Sequence, residues 1–274
     1  MKKRVWMVLV MLAVALSTLG CVCGGIDFGT IHLGEVKAVH GSGRVVEKER
    51  QVSGFTGVEL ATLGNLIIEL GDEEKLRIEA EDNLLQYIET EVHSGALEIG
   101  HRPKVTLVPT ESIYFYLTVK ELDTISVSGA GNVKVPDLEV GEFSLNISGA
   151  GDVDMEDLRT DVLEVNISGG GNVDIEDLNA DVLKVNISGA GDLYIGGGEV
   201  TKQEITISGA GNYKARGLES AEADVHVPGF GSATIRVRDH LEVKISGAGS
   251  VKYVGSPTVE EEVSGVGNIE QIGE

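Results

Sequence analysis

Two acidic motifs, spaced twenty residues apart, hold the side chains of this chain best suited to chemistry. One reads DVDMED at 152–157 and the other reads NVDIED at 172–177. If the two segments stacked in adjacent coils, their carboxylates would repel each other, and a hard cation such as Ca²⁺ would relieve that repulsion. An acidic, solvated face without metal is nevertheless the favoured interpretation, because charge runs are usually just that. The candidate calcium ligands are Asp154, Glu156, Asp157, Asp174, Glu176 and Asp177.

Three motifs that are common in enzymes are missing from the sequence. There is no GxSxG, no HExxH and no paired CxxC. The glycine-rich phrases lie between predicted strands rather than before a helix, so they do not predict a phosphate site. The acidic repeats contain only Arg159 as a cation. The sequence therefore predicts no enzyme and no cofactor, with a polysaccharide-acting β-helix enzyme as the alternative.

The N-terminal residues predict export. Lys2, Lys3 and Arg4 precede an apolar run that is short for a membrane span, and Gly20 precedes Cys21. This pattern is similar to the signal of bacterial lipoproteins, although Thr18 stands where that motif usually has Leu or Val. We expect a signal peptide at 1–20 and a lipid on Cys21, which would attach the protein to a membrane. A simply cleaved signal peptide and an uncleaved anchor are the alternatives.

Composition limits the partners. The formal net charge is −22, so an anionic polymer such as nucleic acid is an unsuitable partner. The only cysteines are Cys21 and Cys23, so we expect no disulfide to hold the folded part together. Residues 21–42 are rich in glycine and lack periodicity, and they predict a tether between membrane and domain.

A five-residue phrase recurs along the second half of the chain. Copies such as SGAGN at Ser128 and SGAGD at Ser148 follow one another at a constant interval, and only the last two intervals are slightly shorter. A fixed period of about 20 residues is typical of a solenoid, in which each coil buries its apolar face against its neighbours. The copies begin at Ser128, Ser148, Ser168, Ser188, Ser208, Pro228, Ser246 and Ser264.

Alternation between the phrases predicts strands. Leu163, Val165 and Ile167 alternate with polar residues, and we expect the glycines that follow to turn the corner with positive φ. The fold predicted is an all-β, single-stranded parallel β-helix with coils of about 20 residues. It comprises irregular coils over 43–125 and regular repeats over 126–274. Helical spacing over Asp82–Val92, with Asp82 as the cap, predicts one short helical excursion.

Three motifs in order carry a family resemblance. They are GSGRVVEKERQVSGFTGVEL at 41–60, EAEDNLLQYIETEVHSGALEIG at 79–100, and the SGAGN/SGAGD phrases. Together they resemble the family called "putative auto-transporter adhesin, head GIN domain", a domain of unknown function. The resemblance implies a parallel β-helix in a secreted or lipid-anchored envelope protein. An adhesin-like role is implied by that name alone.

These observations predict a non-catalytic, envelope-anchored surface protein outside the cytoplasm. It would act as a binding module, for a glycan or a cell-surface protein, or as a spacer or structural element. A binding module needs exposed contact residues, and the aromatic candidates are Tyr114, Phe115, Tyr116, Tyr194, Tyr213 and Phe230.

The residue that closes each glycine corner alternates between amide and acid. Asn132, Asp152, Asn172, Asp192 and Asn212 follow one another at the same interval as the phrases. Stacked aspartates would repel at the spacing of adjacent coils, and an intervening Asn would separate them and bridge to both neighbours. We expect this column to stack directly.

Overall fold

The repeat of the sequence becomes a stack of parallel strands in the computed structural model, which describes residues 36–273. Val153 pairs with Val173, and Val173 pairs with Leu193, each one period further along the chain. This constant offset confirms the predicted β-solenoid. The strands of the regular part are β10 (Thr124–Val127), β11 (Asn132–Val135), β12 (Leu138–Ile147), β13 (Val153–Ile167), β14 (Val173–Ile187), β15 (Leu193–Ile207), β16 (Asn212–Val227), β17 (Ser232–Ile245), β18 (Ser250–Val254), β19 (Thr258–Val263) and β20 (Asn268–Gly273).

Each coil has three sides and a glycine corner. In β13, inward residues alternate with exposed ones, and the alternation changes phase at Glu156–Asp157 and again at Asp161–Val162. A phase change marks a bend, because successive side chains of a straight strand point to opposite faces. The predicted interior columns are confirmed. One consists of Ile147, Ile167, Ile187, Ile207, Val227 and Ile245, all buried.

The corner glycines do not adopt positive φ, so that expectation was wrong. The reason for glycine is close stacking between coils. A Cβ on Gly169 would lie 2.0 Å from the carbonyl oxygen of Gly149, and one on Gly171 would lie 2.0 Å from that of Gly151. Gly170, between them, has nothing within 4 Å of its Cβ position. The first and third glycines are therefore required by the preceding coil.

The shortening of the repeat near the C-terminus begins where β16 pairs with β17. Ala215 pairs with Ile235, but Glu219 pairs with Arg236, so the register shifts between these pairs. A buried polar network lies in this coil. The Tyr213 hydroxyl donates to Gln203 Oε1 at 2.7 Å, and Gln203 Nε2 donates to Ser220 Oγ at 2.9 Å. Burial raises the pKa of Tyr213.

The N-terminal block caps one end of the stack in an order that the sequence does not show. β3 pairs with β10 on one side and with β7 on the other, and β4 lies likewise between β11 and β9. The first coil is therefore covered by a segment that follows it in the chain. The strands of this block are β1 (Lys37–His40), β2 (Val45–Arg50), β3 (Gly57–Leu60), β4 (Asn65–Leu70), β5 (Lys75–Glu81), β6 (Ile88–His93), β7 (Ala96–His101), β8 (Val105–Val108) and β9 (Tyr114–Val119).

Uniform parallel pairing, expected for the whole of 43–274, is wrong for this block. β5 pairs antiparallel with both β2 and β9, and β6 pairs antiparallel with β7. Ser94 and Gly95 connect β6 to β7 with positive φ, a conformation suited to a tight hairpin. Antiparallel neighbours can be joined by a short turn, so the chain does not have to complete a full coil between them.

The predicted helical excursion is shorter than expected. Only Leu85–Tyr87 are helical, as one 3₁₀ turn, and Ile88–His93 form β6. Asp82 is not its cap, because the turn begins after Leu84, which makes no side-chain capping bond, and Asp82 Oδ1 instead accepts a hydrogen bond from the Ser42 hydroxyl at 2.6 Å. The apolar spacing over this segment instead buries Leu84, Leu85 and Ile88 in the core.

The last residues of the predicted tether belong to the fold. β1 pairs in parallel with β8 and forms a small two-stranded sheet. The predicted signal peptide and Cys21 lie outside the described residues. Within 36–273, no helix has the length and apolar character to cross a membrane.

Candidate functional site

A furrow follows the corner between the second and third sides of the coils. It has a volume of about 770 Å³. Residues 139–141, 159–161, 179–181 and 199–201 contribute equivalent positions from four successive coils, and Ala221 and Arg238 lie at its far end. With strands about 4.8 Å apart, these six coils span roughly 24 Å along the solenoid. The furrow is therefore long enough to hold an extended polymer chain.

Short side chains form the floor of the furrow. Val140, Thr160, Ala180 and Val200 follow one another in register. The hydroxyl of Thr160 lies 3.0 Å from the carbonyl oxygen of Gly141 and 3.1 Å from that of Val162, so this buried polar group is satisfied within the protein. The floor consequently offers a mostly apolar strip between polar walls.

The walls carry hydrogen-bonding side chains, among them both acidic and basic residues. Glu139, Arg159, Asn179 and Glu199 form one wall, and Asp161 and Asp181 belong to the other. Arg238 lies at the end of the furrow, where its guanidinium is 3.4 Å from Glu219. Carboxylates accept, guanidinium groups donate, and the Asn amide does both. The sequence shows Arg159 only as an isolated cation, because the wall positions fall between the strictly periodic residues.

The predicted acidic stack is present as a separate depression. Asp154 pairs with Asp174, as expected, and Asp157 pairs with Asp177. Four of the six predicted ligands line a depression of about 400 Å³ together with Lys134 and Tyr194. Asp157 and Asp177 do not line it, since they lie at the next bend. The four candidate residues that line it are Asp154, Glu156, Asp174 and Glu176.

Electrostatics at this depression reflect repulsion between like charges. Burial, together with the charge of Asp154, raises the pKa of Asp174. Lys134 Nζ lies 3.5 Å from Glu156 Oε1 and offsets part of the charge. Among residues 36–273, no group of three or more His, Cys, Asp or Glu side chains is placed to hold a metal ion. The solvated acidic face without metal stays the prediction, and calcium binding stays its alternative.

The six aromatic candidates divide into buried and accessible residues. Phe115 and Tyr213 are fully buried and are core residues, which removes them as contact candidates. Tyr114 and Tyr116 are half-buried and stacked 6.1 Å apart, with the Arg77 guanidinium 4.0 Å from the Tyr116 ring. Tyr194 is exposed in the acidic depression, and Phe230 is 79% exposed at a glycine corner.

The corner column stacks directly, as the alternation predicts. Asn172 Nδ2 donates to Asp152 Oδ1 at 2.9 Å, and the backbone N–H of Asp192 donates to Asn172 Oδ1 at 3.0 Å. Asn172 thus bonds to the acid before it through its amide and to the acid after it through that residue's backbone, and Asn212 Nδ2 likewise donates to Asp192 Oδ1 at 2.7 Å. Desolvation would raise the pKa of Asp192, but hydrogen bonds from Lys214 and Asn212 hold it below the ordinary value.

One buried carboxylate in the N-terminal block could not be found from the sequence pattern. Glu81 is fully buried, although its position in β5 has the parity of the outward residues Arg77 and Glu79. It accepts hydrogen bonds from the Gly43 N–H at 2.5 Å, the Thr110 hydroxyl at 2.6 Å and the Thr110 N–H at 2.9 Å. Desolvation would raise the pKa of Glu81, but these bonds outweigh it and lower the pKa.

Comparison with known proteins identifies a family match. The family model described as "Putative auto-transporter adhesin, head GIN domain" matches residues 54–176 and 155–257, which is well over half of the chain. That description names an adhesin rather than an enzyme, and it points to a surface-binding role at the cell surface or elsewhere outside the cytoplasm. No curated protein matches this chain.

Solved structures share the fold at low sequence identity. A protein of Parabacteroides distasonis described as a "putative lipid binding protein" has a TM-score of 0.81 at 22% identity, covering 86% of this chain and 100% of its own. A "putative adhesin" from the same organism gives a TM-score of 0.79 at 22% identity with the same coverage. One from Parabacteroides merdae gives 0.76 at 23% identity, covering 86% and 99%. At these identities, the likeness shows the fold alone.

Proposed function

The chain belongs to the family described as "Putative auto-transporter adhesin, head GIN domain", and on that premise we propose that it is a non-catalytic binding protein of the cell envelope. Its ligand is an extended, uncharged glycan chain lying in the furrow that follows residues 139–141 through Arg238. A lipid on Cys21 holds the protein on the outer side of a membrane.

The furrow is the observation that carries this proposal. It is open along its length, so an extended chain can enter sideways, and it crosses six coils. The alternation of Glu139, Arg159 and Asn179 along one wall offers both acceptors and donors to sugar hydroxyl groups. The apolar strip formed by Val140 and Ala180 suits the C–H faces of sugar rings.

The negative charge of the protein favours an uncharged glycan over a polyanion as the ligand. The furrow is lined by four carboxylates and two guanidinium groups, and the whole protein carries a net charge of −22. A polyanion would be repelled at long range by such a surface. An uncharged glycan pays no such penalty, and its hydroxyl groups can bond to carboxylates and to arginines alike.

Glycan-array binding with the purified protein tests the proposal, using a matched pair of variants. Asp181→Ala removes a carboxylate from the furrow, and Asp174→Ala removes one from the same strand, β14, outside it. We expect Asp181→Ala to weaken binding about tenfold or more, as for a lost hydrogen bond to a charged group. Asp174→Ala should leave binding unchanged. Equal losses in both variants, or no glycan bound, would contradict the proposal.

The anchor is tested separately. Two acyl chains give stable membrane attachment where one does not. Cys21→Ala should therefore release the protein from the membrane fraction into the soluble fraction after cell breakage. Retention of Cys21→Ala in the membrane fraction would show that an uncleaved apolar segment, rather than a lipid, provides the attachment.

A further inference from the structure

The coil formed by β19 and β20 presents open strand edges. Among the described residues, β19 pairs only with β17 and β20 pairs only with β18. The outer N–H and C=O groups of both strands therefore face away from the stack. An open strand edge is a template for pairing with another chain.

The apolar residues of this coil continue the interior columns. Val259 pairs with Leu241, Val263 pairs with Ile245, and Ile269 pairs with Val251. The earlier members of these pairs are buried, whereas Val263 is 46% exposed. Stacking of one more strand on this coil would bury these side chains, so the coil has the apolar surface that stacking requires.

One position in this coil interrupts an interior column with a charge. The column runs through consecutive register pairs, and each member before the last is buried. Its last member is Glu261, which pairs with Val243 and is exposed. The column consists of Leu145, Val165, Val185, Ile205, Val225, Val243 and Glu261.

A second column ends in a polar residue in the same coil. Gln271 pairs with Tyr253, which follows Ile235 in the inward column of the first side. The amide of Gln271 donates to the carbonyl oxygen of Gly255 at 2.7 Å, so it bonds back to the edge of the preceding coil. Both inward positions that would lie at the centre of a stacking interface are therefore polar.

At the opposite end of the solenoid, within residues 36–273, the strands that cover the first coil are themselves paired further out. There β7 is paired with β6, and β9 is paired with β5, in both cases antiparallel. The surface of a second copy that presents the same open parallel coil is its own β19–β20 edge. A contact between the two edges is two-fold symmetric, and it would bring the Glu261 residues of both copies into one interface.

We infer that Glu261 prevents the β19–β20 edge from pairing with the same edge of a second copy of this chain. Stacking would remove its carboxylate from water without supplying a cation, which is strongly unfavourable. The neighbouring Glu260 and Glu262 add charge on the outward face, where solvent remains. The inward carboxylate blocks the edge because only it would be buried.

A pair of variants on β19 separates this claim from a general charge effect. Glu261→Val removes the inward charge and restores the column, and Glu260→Val makes the same substitution at the adjacent outward position. We expect Glu261→Val to show a doubled molar mass by light scattering as its concentration rises. Wild type and Glu260→Val should stay monomeric under the same conditions. Glu261→Thr, which keeps a β-branched but polar residue, should associate less than Glu261→Val.

Hydrogen exchange identifies the surface that is used. Association through the edge should slow exchange at the β19 and β20 amides of Glu261→Val and leave the amides of β6 and β7 unchanged. The inference is overturned if folded Glu261→Val stays monomeric at every concentration. It is also overturned if Glu260→Val associates equally, or if protection appears on another surface.

Discussion

Glu81 in the N-terminal block and the stacked acids of the regular coils keep their charges in opposite environments. Glu81 is buried and accepts hydrogen bonds from two separate segments, at Gly43 and at Thr110. Asp154 and Asp174 lie at the surface one coil apart, where burial and the charge of Asp154 raise the pKa of Asp174. Glu81 is held by hydrogen-bond donors from two loops that are not part of the repeat. Asp154 and Asp174 occupy equivalent positions of adjacent coils, so the repeat itself places them together.

The two regions therefore respond to change differently. In the coils, the neighbours of a residue are the equivalent residues of the adjacent coils. A side chain that is too large at one position therefore overlaps those equivalent residues and disrupts their stacking. In the N-terminal block, β5 contacts β2 and β9 in both cases antiparallel, and its contacts are not repeated elsewhere. Substitutions in each region can test that difference.

The largest effect is expected at a corner glycine. A Cβ on Gly169 would lie 2.0 Å from a backbone oxygen of the preceding coil, whereas one on Gly170 would meet nothing within 4 Å. Gly169→Ala should lower the free energy of unfolding by about 3 kcal/mol or more, since backbone must move to relieve the overlap. Gly170→Ala should change it by less than about 1 kcal/mol. Equal melting temperatures for the two variants would show that the coils are not stacked this closely.

The next effect concerns the buried carboxylate. Glu81→Gln places an amide N–H₂ among donors and should cost roughly 2–3 kcal/mol in chemical denaturation, as for lost bonds to a charged group. Because the folded pKa of Glu81 is lowered, its contribution is present above the unfolded pKa and is lost as the pH falls through the folded pKa. Wild type should lose stability on acidification more steeply than Glu81→Gln. Glu79→Gln, on the exposed face of β5, is the control and should keep the wild-type slope.

The regular coils were predictable because their information repeats. The buried column through Ile167 and the stacking of Asp152 with Asn172 follow from spacing alone. The covering of β3 by β7 could not be predicted, because it joins segments that are distant in the chain and share no repeat. Glu81 was missed for the same reason, since its burial depends on loops that the local alternation does not report.

The furrow was missed for a different reason. Its floor residues, such as Thr160 and Ala180, occupy inward positions but have short side chains. The alternation in the sequence shows which residues face inward, but not how deep the surface is at each of them. Depth depends on how far each coil bends between its second and third sides, which requires coordinates. The predicted acidic stack, by contrast, needed only the constant register of the repeat.

A smaller effect should follow from changing the corner column. Asn172→Asp removes the amide that donates to Asp152 and creates three successive carboxylates with Asp192. We expect a loss of roughly 1–2 kcal/mol at low ionic strength, most of which should vanish near 1 M salt because the corner is exposed. Asn186→Asp is the control, since its neighbours in register, Asn166 and Thr206, are uncharged. If melts of Asn172→Asp match wild type at low salt, repulsion in the column is negligible.

The smallest effect is expected from calcium, and it bears directly on the contrast with Glu81. The depression at Asp154 and Asp174 has one cation, Lys134, and lacks the backbone and hydroxyl donors that satisfy Glu81, so added salt should relieve the remaining repulsion by screening. Millimolar Ca²⁺ should raise the melting temperature by less than about 2 °C, corresponding to about 1 kcal/mol or less for a chain of this size. Mg²⁺ at equal ionic strength should act alike. Asp174→Asn, which removes one of the repelling charges, should be slightly more stable than wild type at low salt and insensitive to the choice of cation. A shift of many degrees that is specific to Ca²⁺ and absent in Asp174→Asn would instead establish a metal site, and the coils would then satisfy their carboxylates with a cation where the N-terminal block uses hydrogen-bond donors.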